Sequence, residues 1–171
     1  MMDERPVLIV IGPPGAGKSL LGKQVARLLR VPFVDTDRRI VARHGPIATI
    51  FAEHGEEWFR AAERIEVAKA LGERAVVSLG GGAVLNRDTQ ADLADLRVAL
   101  ITVSADAVGR RLGGTARPLL KDGLESWKII VEERRELYAR LATRTLDSSH
   151  RTATSMAHEL AEWVQREEGP A

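Results

Sequence analysis

The 171-residue sequence predicts an α/β fold in which helices cover both faces of a parallel sheet. Three observations predict it. Short apolar runs rich in β-branched residues alternate with longer amphipathic stretches, which is the order of βαβ units. The first run leads into a glycine-rich loop, GPPGAGKS, and then into a helical pattern. With 44% hydrophobic and 29% charged residues, the chain is long enough to bury a sizeable core without staples.

The first strand, Val7–Ile11, runs into Gly12–Ser19 and a helix over Lys18–Leu29. This is G-x-x-x-x-G-K-[ST] in a strand–loop–helix setting. Glycines let backbone N–H groups turn inward around phosphate oxygens, and the helix N-terminus adds its positive dipole end. Gly12, Gly15, Ala16, Gly17 and Leu20 surround two working side chains. Lys18 can reach β- and γ-phosphates, and the Ser19 hydroxyl suits Mg²⁺. A glycine-rich turn that merely precedes a helix is the bland alternative.

The second strand, Val31–Val34, leads to Asp35, Thr36 and Asp37 before a helix over Arg38–His44. In an extended chain, period two puts both acids on one side, facing the phosphate loop. One carboxylate would then hold Mg²⁺ through water and the other would accept or orient a hydroxyl proton. The competing reading is an acid that caps the following helix.

A helix over Glu56–Leu71 opens with two acids in its favourable first turn. Trp58, Phe59, Ala62 and Ile65 give it an apolar side, which Arg60 interrupts. Arg60 requires an anion, either Glu63 at i+3 or a ligand carboxylate. The strand Val76–Leu79 ends in Gly80, Gly81 and Gly82, so something approaches that backbone closely. A helix over Thr89–Leu96, a strand over Val98–Val103 and a helix over Asp106–Leu112 follow. RRLGGTARPLLKDG then carries Arg110, Arg111 and Arg117, either as a lid closing over ATP or as a basic surface loop. The long helix Leu124–Ala142 holds Arg134 in a very charged run that by composition is a solvated face. A weak strand, Thr143–Leu146, and a helix, Thr154–Arg166, close the pattern, with Glu167–Ala171 expected to fray.

Composition narrows the function classes. Basic and acidic residues number 25 and 24 and aromatics only 4%, so neither nucleic acid nor anionic lipid is an expected partner. The absence of cysteine excludes disulfides, thiolate metal sites and cysteine nucleophiles, and suits a reducing cytosol. No apolar segment approaches the roughly 20 residues that span a bilayer, and acids rather than basic residues precede the first apolar run. A cytoplasmic protein is expected.

In order, GPPGAGKS, VDTD, IFAEHGEEWFRAAE, LGGGAV, TARPLL and ERRELY make the chain resemble the shikimate kinases from Val7 to about Trp163. The phosphate loop alone indicates only an NTPase; the other motifs in this order are far more specific. The resemblance implies a P-loop α/β/α sandwich of the nucleoside-monophosphate-kinase-like class, with a five-stranded parallel sheet ordered 2-3-1-4-5. It implies one domain over residues 1–171, with an acceptor-binding region at about 37–66 and a lid at about 113–123. ATP, shikimate and Mg²⁺ are the implied ligands, and a monomer the implied state. Asp37 matches the base at the reacting hydroxyl, and Ser19 and Asp35 the Mg²⁺ site. Arg60 and Arg134 match the carboxylate clamp. Gly80, Gly81 and Gly82 match the backbone under the acceptor ring, and Ile47, Phe51, Phe59 and Glu63 the pocket wall. Arg117 matches the lid arginine on the ATP phosphates, and Arg111 and Arg151 those flanking adenine.

Five departures stand out. Leu20 replaces a threonine, removing a phosphate contact worth about 0.5–1.5 kcal/mol. Gly45–Ile47 and Gly113–Pro118 are each one residue short, and the latter leaves the adenine-side arginine open between Arg110 and Arg111. Glu136 and Ala153 stand where prolines are usual.

Overall fold

The computed structural model describes residues 3–112 and 123–169. Strands β1 (Leu8–Ile11), β2 (Phe33–Asp35), β3 (Val76–Ser78), β4 (Val98–Thr102) and β5 (Arg144–Asp147) form one parallel sheet. Its order is β2-β3-β1-β4-β5, as expected. The centre is set by sequence. LIVI of β1 is buried at every position, whereas RTLD of the edge strand β5 buries only Leu146.

Side chains of the central strands alternate between two cores. Leu8 and Val10 join Ala99 and Ile101 in one cluster with helices α1 (Lys18–Leu29) and α7 (Ala153–Glu168). Ile9 and Ile11 join Val98 and Leu100 in the other, with Val67 and Ala70 of α3 (Ile47–Ala70). A strand turns successive side chains to opposite faces, so continuous apolar runs require cover on both. Helices α2 (Thr36–His44) and α3 pack together around a smaller cluster of Ile40, Ile50 and Phe59. A short 3-10 helix (Ala83–Leu85) and helices α4 (Arg87–Leu93), α5 (Ala105–Leu112) and α6 (Leu124–Leu141) complete the described elements. Among the described residues no helix is long and apolar enough to cross a membrane.

Several boundaries differ from expectation. β2 starts at Phe33, because the Val31 N–H closes the end of α1 on Ala26 O and Pro32 has no N–H to offer. α2 begins at Thr36, so Asp37 lies in a helical turn and not on an extended chain with Asp35. α3 is two helices run together: Gly55, at φ 84° and ψ 174°, is not helical, so a helix does start at Glu56 as expected, and a further one over residues 47–54 precedes it. The buried stripe of α3 carries Phe59, Ala62, Glu63, Glu66 and Val67, while Trp58 and Ile65 are exposed. α4 starts earlier than Thr89, capped by Asn86, which accepts from the Thr89 N–H at 3.0 Å. The tail expected to fray from Glu167 is helical through Glu168, held by Arg97 Nε to Glu167 at 2.9 Å. The expected lid, Gly123 apart, lies outside the described residues, and so does Arg117.

Candidate active site

The phosphate loop bridges β1 and α1 at the carboxyl end of the sheet. Gly12 has φ 149° and lies so close to the Ile101 carbonyl of β4 that a Cβ would collide with it. Gly17, at φ 89°, caps α1. Ala16 between them is buried. Lys18 Nζ donates to Gly12 O at 2.8 Å and Pro13 O at 3.1 Å, folding the ammonium over the loop. Ser19 Oγ donates to Asp35 Oδ2 at 2.6 Å, which sets two hard oxygens side by side. Leu20 points outward and is 58% exposed.

Asp35 does two things at once. Its second oxygen caps α2, accepting from the Arg38 N–H at 3.2 Å. The capping reading therefore holds for this residue, and the same carboxylate also touches Ser19 of the phosphate loop. Asp37, one position into α2, turns toward Gly80 instead. Burial pushes its carboxyl above the ordinary aspartate value and the nearby Asp35 adds to this, while Lys18 and Arg60 pull it down. Thr36 between the acids is buried; its hydroxyl accepts from the Gly80 N–H at 3.3 Å and donates to Ser78 O at 3.4 Å. That pair of bonds ties the start of α2 to the end of β3.

Each of the three glycines faces a different side chain. A Cβ on Gly80 would lie 2.5 Å from Asp37 Oδ1. On Gly81 it would lie 3.2 Å from Pro14 Cδ and 3.5 Å from Arg134 Nη1, and on Gly82 2.5 Å from Arg60 Nη2. Gly82 has φ −98°, open to any residue, so close approach rather than backbone conformation calls for glycine there. The bare backbone lets an acid and two arginines converge on one segment.

Arg60 Nη1 donates to Glu63 Oε1 at 2.7 Å, and Arg60 Nε lies 3.7 Å from Glu56. Burial pushes the Glu63 carboxyl up while Arg60 pulls it down. Of the two partners named from the sequence, Glu63 is present as the helix ion pair, and the guanidinium also reaches Gly82. Arg134 is half-buried within an otherwise exposed EERRE run, so it is not part of a solvated face. Ile47 and Phe51 pack on the Phe59 cluster, with the Phe51 and Phe59 rings 4.8 Å apart. On the opposite flank of the phosphate loop, Arg111 donates to Gly15 O and to Ser148 O, each at 2.7 Å.

A family model described as shikimate kinase matches residues 14–165. The chain belongs to the shikimate kinase family. It is 44% identical over 164 residues to a shikimate kinase of Thermobifida fusca, covering 94% of this chain and 95% of that one. A solved shikimate kinase from Acinetobacter baumannii in complex with shikimate superposes with a TM-score of 0.88 at 25% identity, covering 98% and 96% of the two chains. The Bacteroides thetaiotaomicron shikimate kinase superposes with a TM-score of 0.82 at 30% identity, covering 92% and 97%. Shikimate kinases are ATP-dependent kinases, and the sheet order is that of their P-loop fold.

For a shikimate kinase the structure brings Lys18, Asp37, Arg60, Glu63 and Arg134 to one place around Gly80–Gly82. Of Arg110 and Arg111, it is Arg111 that reaches the phosphate loop. Arg151 is bonded away to α7, at 3.1 Å from both Glu159 and Ser155. Sequence reasoning missed Trp127 and Tyr138. Trp127 Nε1 donates to Pro14 O at 2.7 Å, and the Tyr138 hydroxyl donates to Gly81 O at 2.6 Å. Both acceptors are main-chain carbonyls remote in sequence, and no residue pattern encodes such a bond.

Proposed function

We propose that this shikimate kinase transfers the γ-phosphoryl group of ATP to the 3-hydroxyl of shikimate, giving ADP and shikimate 3-phosphate, an early step toward chorismate and the aromatic amino acids. The observation that carries the reading is the position of Asp37. Its carboxylate lies against Gly80, on the segment that Arg60 and Arg134 also reach, with Lys18 of the phosphate loop in electrostatic range, which supports a role between donor and acceptor.

In this reading Arg60 and Arg134 hold the shikimate carboxylate, and the Gly80–Gly82 backbone lies against its ring. The Phe59 cluster backs that pocket, with Ile47 and Phe51 on it. The 3-hydroxyl gives its proton to Asp37 as its oxygen bonds to the γ-phosphorus and the bond to the bridging oxygen of ADP breaks. A base with a raised pKa matches that task better than an ordinary aspartate. Lys18 turns from the loop carbonyls to the phosphates, and the loop N–H groups hold the rest of the chain of phosphates. Arg111 and Arg151 serve the adenine end and Arg117 the phosphates from the lid. Ser19 and Asp35 fit Mg²⁺, which takes hard oxygens and leaves most positions to phosphate and water. When bound, the ion neutralises charge on the β- and γ-oxygens. The enzyme works as a cytoplasmic monomer.

The test is a coupled ADP-release assay with shikimate, gluconate, a nucleoside monophosphate or no acceptor. Stimulation by shikimate alone is expected; none at millimolar shikimate would refute the reading.

A further inference from the structure

We infer that Tyr138 is a positioning residue for the acceptor, its hydroxyl fixing the Gly81 carbonyl and the Arg134 guanidinium in one arrangement. The inference rests on the function proposed above.

The ring of Tyr138 is buried in the core that also holds Leu79, Ala83 and Val84, so phenylalanine would fill the same space. What phenylalanine lacks is the hydroxyl. That hydroxyl donates to Gly81 O at 2.6 Å, 57 residues away. The neighbouring carbonyls are committed locally, Gly80 O to the Ala83 N–H at 3.0 Å and Gly82 O to the Leu85 N–H at 3.1 Å. The middle carbonyl therefore takes its orientation from α6. Arg134, one helical turn before Tyr138, lies on the same helix face, acts electrostatically on the same phenol and lies beside Gly81. Burial keeps the phenol protonated and therefore a donor.

The other end of α6 repeats the device. Trp127 donates to Pro14 O, and the Pro14 ring packs over Gly81, so α6 grips the phosphate loop and the glycine segment together. Losing the hydroxyl leaves the Gly81 carbonyl free to rotate and Arg134 without a fixed rest position. The defect should fall on shikimate and spare ATP.

Two measurements test this. In Tyr138→Phe, KM for shikimate should rise about fivefold or more, with KM for ATP within about twofold of wild type, as expected for one lost oriented hydrogen bond. Tyr138 is also the only tyrosine in the chain, so growth on 3-fluorotyrosine labels this site alone for fluorine NMR. The resonance of the labelled, otherwise wild-type enzyme should shift on addition of shikimate, even if Tyr138→Phe does not fold. An unchanged shikimate KM, equal losses for both substrates, or a resonance insensitive to shikimate would overturn the inference. A wild-type enzyme inert toward shikimate would overturn the proposed function and this inference with it. An active wild type with an unaffected Tyr138→Phe would overturn the inference alone.

Discussion

Ser19 and Asp35 are joined by a hydrogen bond of 2.6 Å across the first two loops of the sheet, and the same carboxylate caps α2. Two substitutions separate its roles. Asp35→Asn keeps a good capping side chain but removes the charge, so the Mg²⁺ concentration for half-maximal activity should rise while Tm stays near wild type. Asp35→Ala also removes the cap and should cost about 1 kcal/mol, a Tm drop of roughly 2–4 °C. Calorimetry and a Mg²⁺ titration on both variants check this.

Asp37→Asn should lower kcat by about 10²–10⁴-fold with nucleotide affinity unchanged. It should also stabilise the fold. A carboxyl whose pKa is raised on folding binds more protons in the native state, so stability falls as pH rises from the unfolded pKa through the folded one. Above both values the full penalty applies, and the neutral asparagine removes it. Asp37→Asn should therefore melt higher than wild type near neutral pH, with the gain vanishing in acid. For the same reason the acid limb of wild-type kcat/KM, which reports the free enzyme, should lie above the ordinary aspartate range. A neutral-pH melt below wild type would contradict the assigned environment.

The glycines should fail in different ways. An alanine methyl at Gly80 displaces Asp37, so Gly80→Ala should act chiefly on kcat. At Gly82 it displaces Arg60, so Gly82→Ala should act chiefly on KM for shikimate. Arg60 also lines a cavity of about 240 Å³, which gives the guanidinium room to move without unfolding the protein. A displacement near 1 Å should cost about 100-fold in either parameter. Gly81→Ala meets Pro14 and Arg134 less tightly and should weaken shikimate binding more than ATP binding. Steady-state kinetics with each substrate varied separates the three.

Arg60→Ala should weaken shikimate binding by about 2–5 kcal/mol, the range for a buried charge pair. It also leaves the buried Glu63 without its 2.7 Å partner, so Tm should fall. Adding Glu63→Gln should restore much of the stability without restoring binding. Calorimetric titration with shikimate, alongside thermal melts, would show whether the two losses separate.

The sequence made the sheet, its order and the phosphate loop legible because each leaves a local or family-wide pattern. Boundaries failed where one residue overrides a pattern, as Pro32 and the Val31 N–H shorten β2, while the helix start at Glu56 held because Gly55 breaks the helix before it. At the site, Asp37, Arg60 and Arg134 were named from sequence and the three glycines were read as backbone under the acceptor ring, but the side chains that crowd them were not visible there. Their neighbours, Asp37, Arg134 with Pro14, and Arg60, come from three other parts of the chain. Trp127 and Tyr138 escaped because their partners are backbone atoms. That Arg111 bonds the Gly15 and Ser148 carbonyls depends on three-dimensional neighbours that the local sequence does not show.

The most direct measurement of the central claim is the product itself. Purified enzyme incubated with ATP, Mg²⁺ and shikimate should yield one phosphomonoester whose phosphorus couples to the proton at carbon 3 of the ring in a phosphorus–proton correlation spectrum. Release of inorganic phosphate alone, or phosphorus coupled to another ring position, would contradict the account.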